Sequence, residues 1–257
     1  MSNGYQGNKG FTLKVFYQTL IGILDLLYPR ICFGCNIGIS EEESVHICNT
    51  CRESIRKNEA KRCYKCGLIL GLGAYSSDKG CSECKKINLR FERGFFVSDY
   101  TGPLREVIIH YKYHKQEMLA KPLAELMIKK LLNEGVITEI DVLVPVPLHW
   151  KKKLSRGFNQ SELFAKRISK ELQIPISVNN LSNCKHTLSQ TRLSRSERNK
   201  NVSGAFAVRK PELFLKKRIL LIDDVLTTGI TASECARILK KAGAKKVFLL
   251  ALARAKL

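Results

Sequence analysis

Residues Arg218–Arg237 read RILLIDDVLTTGITASECAR, and the order of residue types in this stretch decides the fold. Arg218-Ile219-Leu220-Leu221-Ile222 is short, continuous and partly β-branched, without polar alternation. That is the pattern of a strand buried on both faces of a parallel sheet. Asp223 and Asp224 stand at its C-terminal end, where open α/β sheets place their ligands. Thr227, Thr228, Gly229 and Thr231 then turn the chain into a helix expected over Thr231–Lys241, its first turn facing the two acids. Backbone N–H groups, hydroxyls and a helix N-terminus suit a phosphate, while paired carboxylates suit vicinal hydroxyls or a hydrated Mg2+. A phosphorylated sugar carries both. In many α/β proteins one such Asp merely caps the helix, so the residues alone leave a phosphate or nucleotide site and a structural turn both open.

The flanking sequence supplies the rest of an α/β body. A strand is expected over Phe91–Tyr100, a helix over Leu104–His114 with Leu104, Val107, Ile108 and Tyr111 inward, and a clearer helix over Ala120–Glu134 ended by Gly135. Lys112 and Lys115 are within reach of an anion, but charges on an amphipathic helix are usually solvated. Val142–Pro147 is a second buried strand stopped by proline. Beyond it a loop with Leu148, His149, Trp150 and Lys151–Lys153 leads through Arg156-Gly157-Phe158-Asn159-Gln160 to a helix over Ser161–Leu172. This loop is expected across the sheet from Asp223, placed to hold pyrophosphate; His149 alone is no evidence of proton transfer. Strands are expected at Ile176–Val178, Val202–Val208 and Lys246–Ala253. Asn183–Arg198 is polar, basic and aperiodic, and loops of that length in compact domains usually serve function, here as a lid anchored by Gln190, Arg192, Arg195, Arg198 and Asn201.

The chain is 257 residues long, with 44% apolar and 26% charged residues, as in ordinary globular proteins. Its net charge of +21 is not ordinary and points to a polyanion, nucleic acid before anionic membrane. The excess is concentrated: Pro147–Arg218 holds 10 Lys and 7 Arg against 4 Glu, whereas Arg30–Arg93 holds 12 basic and 8 acidic residues. No secretory signal opens the chain, and Phe11–Tyr28, interrupted by Lys14, Gln18 and Asp25, is too short and polar to span a bilayer. An amphipathic helix within residues 1–30 that docks on the body is expected, a membrane-surface role being the lesser alternative.

Eight of the ten cysteines form four CxxC pairs: Cys32/Cys35, Cys48/Cys51, Cys63/Cys66 and Cys81/Cys84. Four such knuckles within about fifty residues read as two tetrahedral four-cysteine zinc sites, and a chain kept reduced in the cytoplasm would not pair them as disulfides. Sequential sites (32/35/48/51 and 63/66/81/84) are favoured over an interleaved brace. His46 is expected at the surface and Cys235 in the core. The ribbon is assigned to residues 31–90 and the α/β body to residues 91–257. Zinc ribbons bind nucleic acid, bind protein or simply hold a shape, and composition does not choose among these.

Two resemblances extend these readings. LLIDDVLTTGIT resembles the phosphoribosyl-diphosphate (PRPP) signature of type I phosphoribosyltransferases. The order of the four CxxC pairs, VPVPLHW, RGFNQSELFA, LSRSERNKNVSGAF and LLIDDVLTTGIT resembles the ComF (ComFC/GntX-like) family of competence-related proteins over nearly the whole chain from Leu26. That resemblance implies a Rossmann-like parallel sheet of the type I phosphoribosyltransferase kind fused to a double zinc ribbon, and a link to natural transformation. It implies that Asp223 and Asp224 meet the ribose hydroxyls and Mg2+. Val225, Leu226, Thr227, Thr228, Gly229, Ile230 and Thr231 would wrap the 5-phosphate. Pro147, Leu148 and His149 would take the pyrophosphate, with Arg156, Arg195 and Arg198 closing over the site. Catalytic residues are not named by it. The implied protein is cytoplasmic, free or at the inner membrane face, with single-stranded DNA and DNA-uptake proteins such as a helicase as partners. Three readings stay open: a PRPP-dependent transferase, a DNA-handling protein that uses PRPP as a regulatory ligand, and a zinc-stabilised adaptor.

Overall fold

The computed structural model describes residues 30–40, 46–56, 60–71, 73–77, 79–184 and 204–256, with Lys151 by its backbone alone. Its centre is a four-stranded parallel sheet of β1 (Gly94–Asp99), β2 (Val142–Pro145), β5 (Arg218–Leu226) and β6 (Lys246–Arg254), in the order β1-β6-β5-β2. Leu220, Ile222, Phe248, Leu250 and Leu252 face one side, while Ile219, Leu221, Val247, Leu249 and Ala251 face the other. Both sides are buried, so every strand residue needs an apolar side chain and the sequence shows no alternation. Each such side chain contributes about 1.5–3 kcal/mol by leaving water.

The first face is covered by α3 (Gly102–Tyr113), α4 (Ala120–Glu134) and α6 (Gln160–Leu172), through Leu104, Val107, Ile108, Tyr111, Leu123, Met127, Phe164 and Ile168. The second is covered by α7 (Ile230–Lys241), through Ala232, Cys235, Ala236 and Leu239. Gly135 ends α4 in the left-handed conformation, as its position predicts. The Asn159 side chain caps α6 by accepting from Ser161 N at 3.2 Å.

The zinc module straddles the β1 edge. Cys32, Cys48 and Cys51, with α1 (Asn49–Arg56), belong to the core of the first face. Cys63, Cys66, Cys81 and Cys84, with α2 (Ser82–Ile87), belong to the core of the second. Neighbouring β1 residues divide the same way, Phe95 on the first face and Phe96 on the second.

Four local expectations change. Trp150–Arg156 is a helix, α5, where an irregular basic loop was expected. Ile176–Val178 forms only a parallel bridge, Leu143 to Ile176, because Pro175 has no N–H to extend the ladder. In place of the strand Val202–Val208, only Phe206–Val208 (β4) is described as a strand, and it pairs antiparallel with Leu181–Asn183 (β3) away from the central sheet. β5 runs to Leu226, so Asp223 and Asp224 lie within the strand rather than just past its end. The helix expected within residues 1–30 lies outside the described residues apart from Arg30. Gln190, Arg192, Arg195, Arg198 and Asn201 of the expected lid also lie outside them.

Candidate functional site

β2 lies directly beside β5 in the sheet, with Pro145 opposite Ile222, and Val146 N donates to Ile222 O at 2.9 Å. The chain leaving β2 therefore passes alongside the two acids rather than across the sheet from them. Asn159 Nδ2 donates to Val146 O at 3.2 Å and steadies that exit. Between the two strand ends opens a cleft of about 320 Å3. Pro147, Leu148 and His149 form one wall and residues 223–232 the other, and Lys112, Tyr113, Lys152 and Arg156 also line it.

Asp223 Oδ1 accepts from Ser161 Oγ at 3.3 Å and from Asp224 N at 2.9 Å. Asp224 Oδ1 accepts from Val225 N at 2.6 Å and pairs with Lys112 Nζ at 2.8 Å. Burial, and then the neighbouring Asp224 charge, push the Asp223 carboxyl up to about 7, although Lys112 and Ser161 pull the other way. Two adjacent acids that share one lysine are short of positive charge, and a divalent cation would supply it. Burial, and secondarily the Arg156 charge, lower the Lys152 ammonium from its ordinary value.

The turn after the acids needs glycine. Gly229 has φ +81°, and a Cβ there would meet Leu89 Cδ2 at 2.9 Å. It stands immediately before Ile230, the first residue of α7, so the strand end, the threonines and the helix N-terminus converge on one side of the cleft. Such an arrangement accepts an anion through backbone N–H groups.

The cysteines gather into the two sequential groups, Cys32/Cys35/Cys48/Cys51 and Cys63/Cys66/Cys81/Cys84. Sulfur separations are 3.8 Å for Cys35–Cys48, 3.7 Å for Cys63–Cys84 and Cys66–Cys81, and 3.8 Å for Cys81–Cys84. A tetrahedron with Zn–S bonds of about 2.3 Å puts its sulfurs about 3.8 Å apart, so the geometry fits zinc. Gly34 N and Cys48 N donate to Cys32 Sγ, and Cys81 N and Ser76 Oγ to Cys63 Sγ, at 3.2–3.3 Å, which favours thiolates.

Residues 23–85 match the family described as "Double zinc ribbon domain" and residues 158–256 the "Phosphoribosyl transferase domain". Competence protein F of Haemophilus influenzae (strain ATCC 51907 / DSM 11121 / KW20 / Rd) is 31% identical over 214 residues, which cover 81% of this chain and 90% of that protein. The chain belongs to the competence protein F (ComF) family. DNA utilization protein YhgH of Escherichia coli (strain K12) is 29% identical over 232 residues, 89% of this chain and 99% of that protein. Competence protein ComFC of Bacillus subtilis (strain 168) is 24% identical over 237 residues, 84% and 91% of the two chains. The fold is thus the parallel phosphoribosyltransferase sheet with a double zinc ribbon carrying two four-cysteine zinc sites.

In this ComF chain, Asp223, Asp224, Val225, Leu226, Thr227, Thr228, Gly229, Ile230, Thr231, Pro147, Leu148, His149 and Arg156 all line the one cleft. Leu226 and Ile230 line the cleft although both are buried in the core. Arg195 and Arg198 fall outside the described residues. His46, expected at the surface, is partly buried, while Cys235 is fully buried as expected. Sequence reasoning set Lys112 aside as solvated and missed Asn159, Ser161 and Arg254. The cap Asn-Gln-Ser before a helix was a readable signal for the first two. An arginine closing the apolar run VFLLALAR was one for the third. Among the described residues no helix is long and apolar enough to cross a membrane.

Proposed function

We propose that this ComF chain binds PRPP with Mg2+ and acts with single-stranded DNA in competence-related DNA uptake. One observation carries the reading: two acids, a Thr/Gly turn at a helix N-terminus and a proline-stopped loop from the adjacent strand converge on a single cleft. PRPP has the matching groups in the matching order, a 5-phosphate for residues 227–231, ribose hydroxyls for Asp223 and Asp224, and a pyrophosphate for Pro147–His149. Mg2+, when bound, supplies charge neutralisation between the acids and the leaving pyrophosphate. Arg156 adds a cation to the cleft, its Nη1 held by Gln160 Oε1 at 3.2 Å.

The chemistry such a site promotes is displacement of pyrophosphate at the ribose C1 by a nitrogen nucleophile. The C1–O bond breaks with its electron pair on pyrophosphate as the C1–N bond forms, through an oxocarbenium-like state. The protein's part is positioning and electrostatics. The DNA part draws support from the relatives' names, from the basic excess of Pro147–Arg218, and from a groove beside the cleft. Lys112, Tyr113, Lys115, Lys152 and Arg156 line that groove; Tyr113 is 61% exposed, with the Arg156 guanidinium 5.4 Å over its ring. Cations for phosphates and a ring for bases are what single strands require.

Calorimetry with PRPP and Mg2+ tests the site: wild type should bind, and Asp223→Asn/Asp224→Asn should not; equal binding by both would refute the assignment. Pyrophosphate release, screened over bases and oligonucleotides, separates turnover from a ligand role. Oligonucleotide affinity should fall steeply with salt and drop on Tyr113→Ala.

A further inference from the structure

Among the described residues Arg254 is the largest side chain buried to 2% or less, and it lies at the end of β6 between Asp99 and Leu226 of the neighbouring strands. Its partners are backbone carbonyls from two parts of the molecule. Nε donates to Cys66 O at 2.8 Å, in the second zinc centre. Nη1 donates to Leu226 O at 2.9 Å, to Thr227 O, and to Ala255 O at 2.6 Å. A guanidinium taken out of water needs a counter-charge. Four thiolates around Zn2+ leave a net charge of minus two, and the second centre lies against it.

The consequence for the cleft is geometric. A trans peptide points its N–H opposite to its C=O. With the Leu226 and Thr227 carbonyls turned to Arg254, the N–H groups of Thr227 and Thr228, two residues that line the cleft, are turned away from it. A second link runs in parallel. Asn88, Leu89 and Arg90 follow α2, which carries Cys84. Arg90 N donates to Ser233 Oγ at 3.0 Å, Ser233 Oγ donates to Asn88 O at 3.5 Å, and Leu89 sits against Gly229. Both ends of the phosphate turn, Leu226–Thr227 and Gly229–Ser233, are therefore held by chain that the second centre organises.

We infer that Arg254 is a positioning residue that couples the second zinc centre to the phosphate turn, so that zinc at Cys63/Cys66/Cys81/Cys84 and PRPP in the cleft stabilise each other. This rests on the PRPP reading. Coupling between sites is reciprocal: if the intact centre strengthens PRPP binding, bound PRPP must hold the centre closed by the same factor, typically about 5- to 150-fold. The first centre, packed on α3, has neither link.

The test uses full-length, zinc-loaded protein challenged with a zinc-selective chelator, with or without saturating PRPP and Mg2+. Newly freed thiols are alkylated and mapped by mass spectrometry, so each centre is read separately. The expected result is about tenfold or more slower alkylation of Cys63, Cys66, Cys81 and Cys84 when PRPP is present, and about threefold or less at Cys32, Cys35, Cys48 and Cys51. Arg254→Lys keeps the charge but cannot fork between Cys66 O and the Leu226 and Thr227 carbonyls. It should keep two zinc per chain, bind PRPP about tenfold more weakly and lose the protection. PRPP binding by calorimetry with equal protection of both centres, or none, overturns the coupling and leaves the PRPP site standing. No PRPP binding by wild type overturns both. If Arg254→Lys does not fold, the site-resolved protection in wild type still decides.

Discussion

The two zinc centres have the same four ligands and the same spacing logic, yet they differ in what they brace. The first has Cys35 exposed and meets α3: a Cβ on Gly34 would lie 3.1 Å from Pro103 Cβ, and the Phe33 ring lies 4.9 Å from that of His110. The second has all four cysteines buried and meets the Thr/Gly turn through Arg254 and Leu89. Each reaches the cleft by a different physical route. The first holds the helix that brings Lys112 to Asp224, and so acts through charge. The second fixes backbone direction. Identical local chemistry thus acquires different roles from the faces of the sheet on which it sits.

The largest expected effect removes one centre at a time. Cys81→Ser/Cys84→Ser should lower PRPP affinity about tenfold or more, against about threefold or less for Cys32→Ser/Cys35→Ser, since only the former leaves the turn unbraced. Each variant should keep one zinc per chain by elemental analysis and retain its helical circular dichroism. Equal losses in calorimetry would erase the distinction between the centres.

Glycines beside each centre give a smaller contrast. Gly229→Ala forces a β-carbon onto φ +81° and onto Leu89, and should weaken PRPP about tenfold while costing about 1–2 kcal/mol of stability. Gly34 has no positive φ; its Cβ would meet Cys51 Sγ and Pro103 Cβ at 3.1 Å. Gly34→Ala should cost about 1 kcal/mol and leave PRPP affinity unchanged. Urea unfolding beside calorimetry reads both quantities, and weakened PRPP binding in Gly34→Ala would contradict the separation.

The charge route has its own signature in pH. Asp223 titrates near 7 when folded, above its unfolded value of 3.8, so the stability it contributes is full below about 4 and is lost as pH rises through 7. Without ligand, Asp223→Asn should therefore gain on wild type across that window, by on the order of 1 kcal/mol, in thermal unfolding at pH 5 and pH 8. On the proposed reading PRPP with Mg2+ takes the ionised acid, so wild-type affinity should rise with pH and level off above 7. Lys112 holds the Asp223 value down. Lys112→Met should move the midpoint to higher pH, and an unmoved midpoint would leave the first centre without its proposed route.

What the sequence disclosed follows from how local each feature is. Parallel strands buried on two faces must be apolar throughout, so Ile219–Ile222 and Val247–Leu252 could be read directly. CxxC spacing is local chemistry and showed the ligands. Gly229 and the acids lie within one strand-turn-helix unit and were read together. Lys112 was discounted because its partner, Asp224, is 112 residues away, and pattern on one helix cannot show a partner on another strand. Arg254 was hidden for the same reason: Cys66 and Leu226 meet it only once β1, β6 and β5 are side by side. Helix α5 was missed because Trp150-Lys151-Lys152-Lys153 reads as a charge run.

The smallest contrast lies in how the two centres are tied to the body by ion pairs. Arg62, which precedes Cys63, binds Asp99 at the end of β1 with both guanidinium ends, at 2.9 and 3.0 Å, and Nη1 also reaches Gly67 O at 2.9 Å. Arg52, which follows Cys51, has Glu125 at 3.5 Å, with that glutamate half exposed to water. A two-pronged pair shielded from solvent is worth more than a single long one open to water, because two charge-assisted hydrogen bonds form and water screens the attraction less. Lysine keeps the charge and removes the fork. Arg62→Lys should therefore cost about 1 kcal/mol and Arg52→Lys about 0.3 kcal/mol in urea unfolding, with PRPP affinity unchanged in both. Equal costs would mean that the centres are docked alike, and that the second owes its hold on the cleft to Arg254 and Leu89 alone.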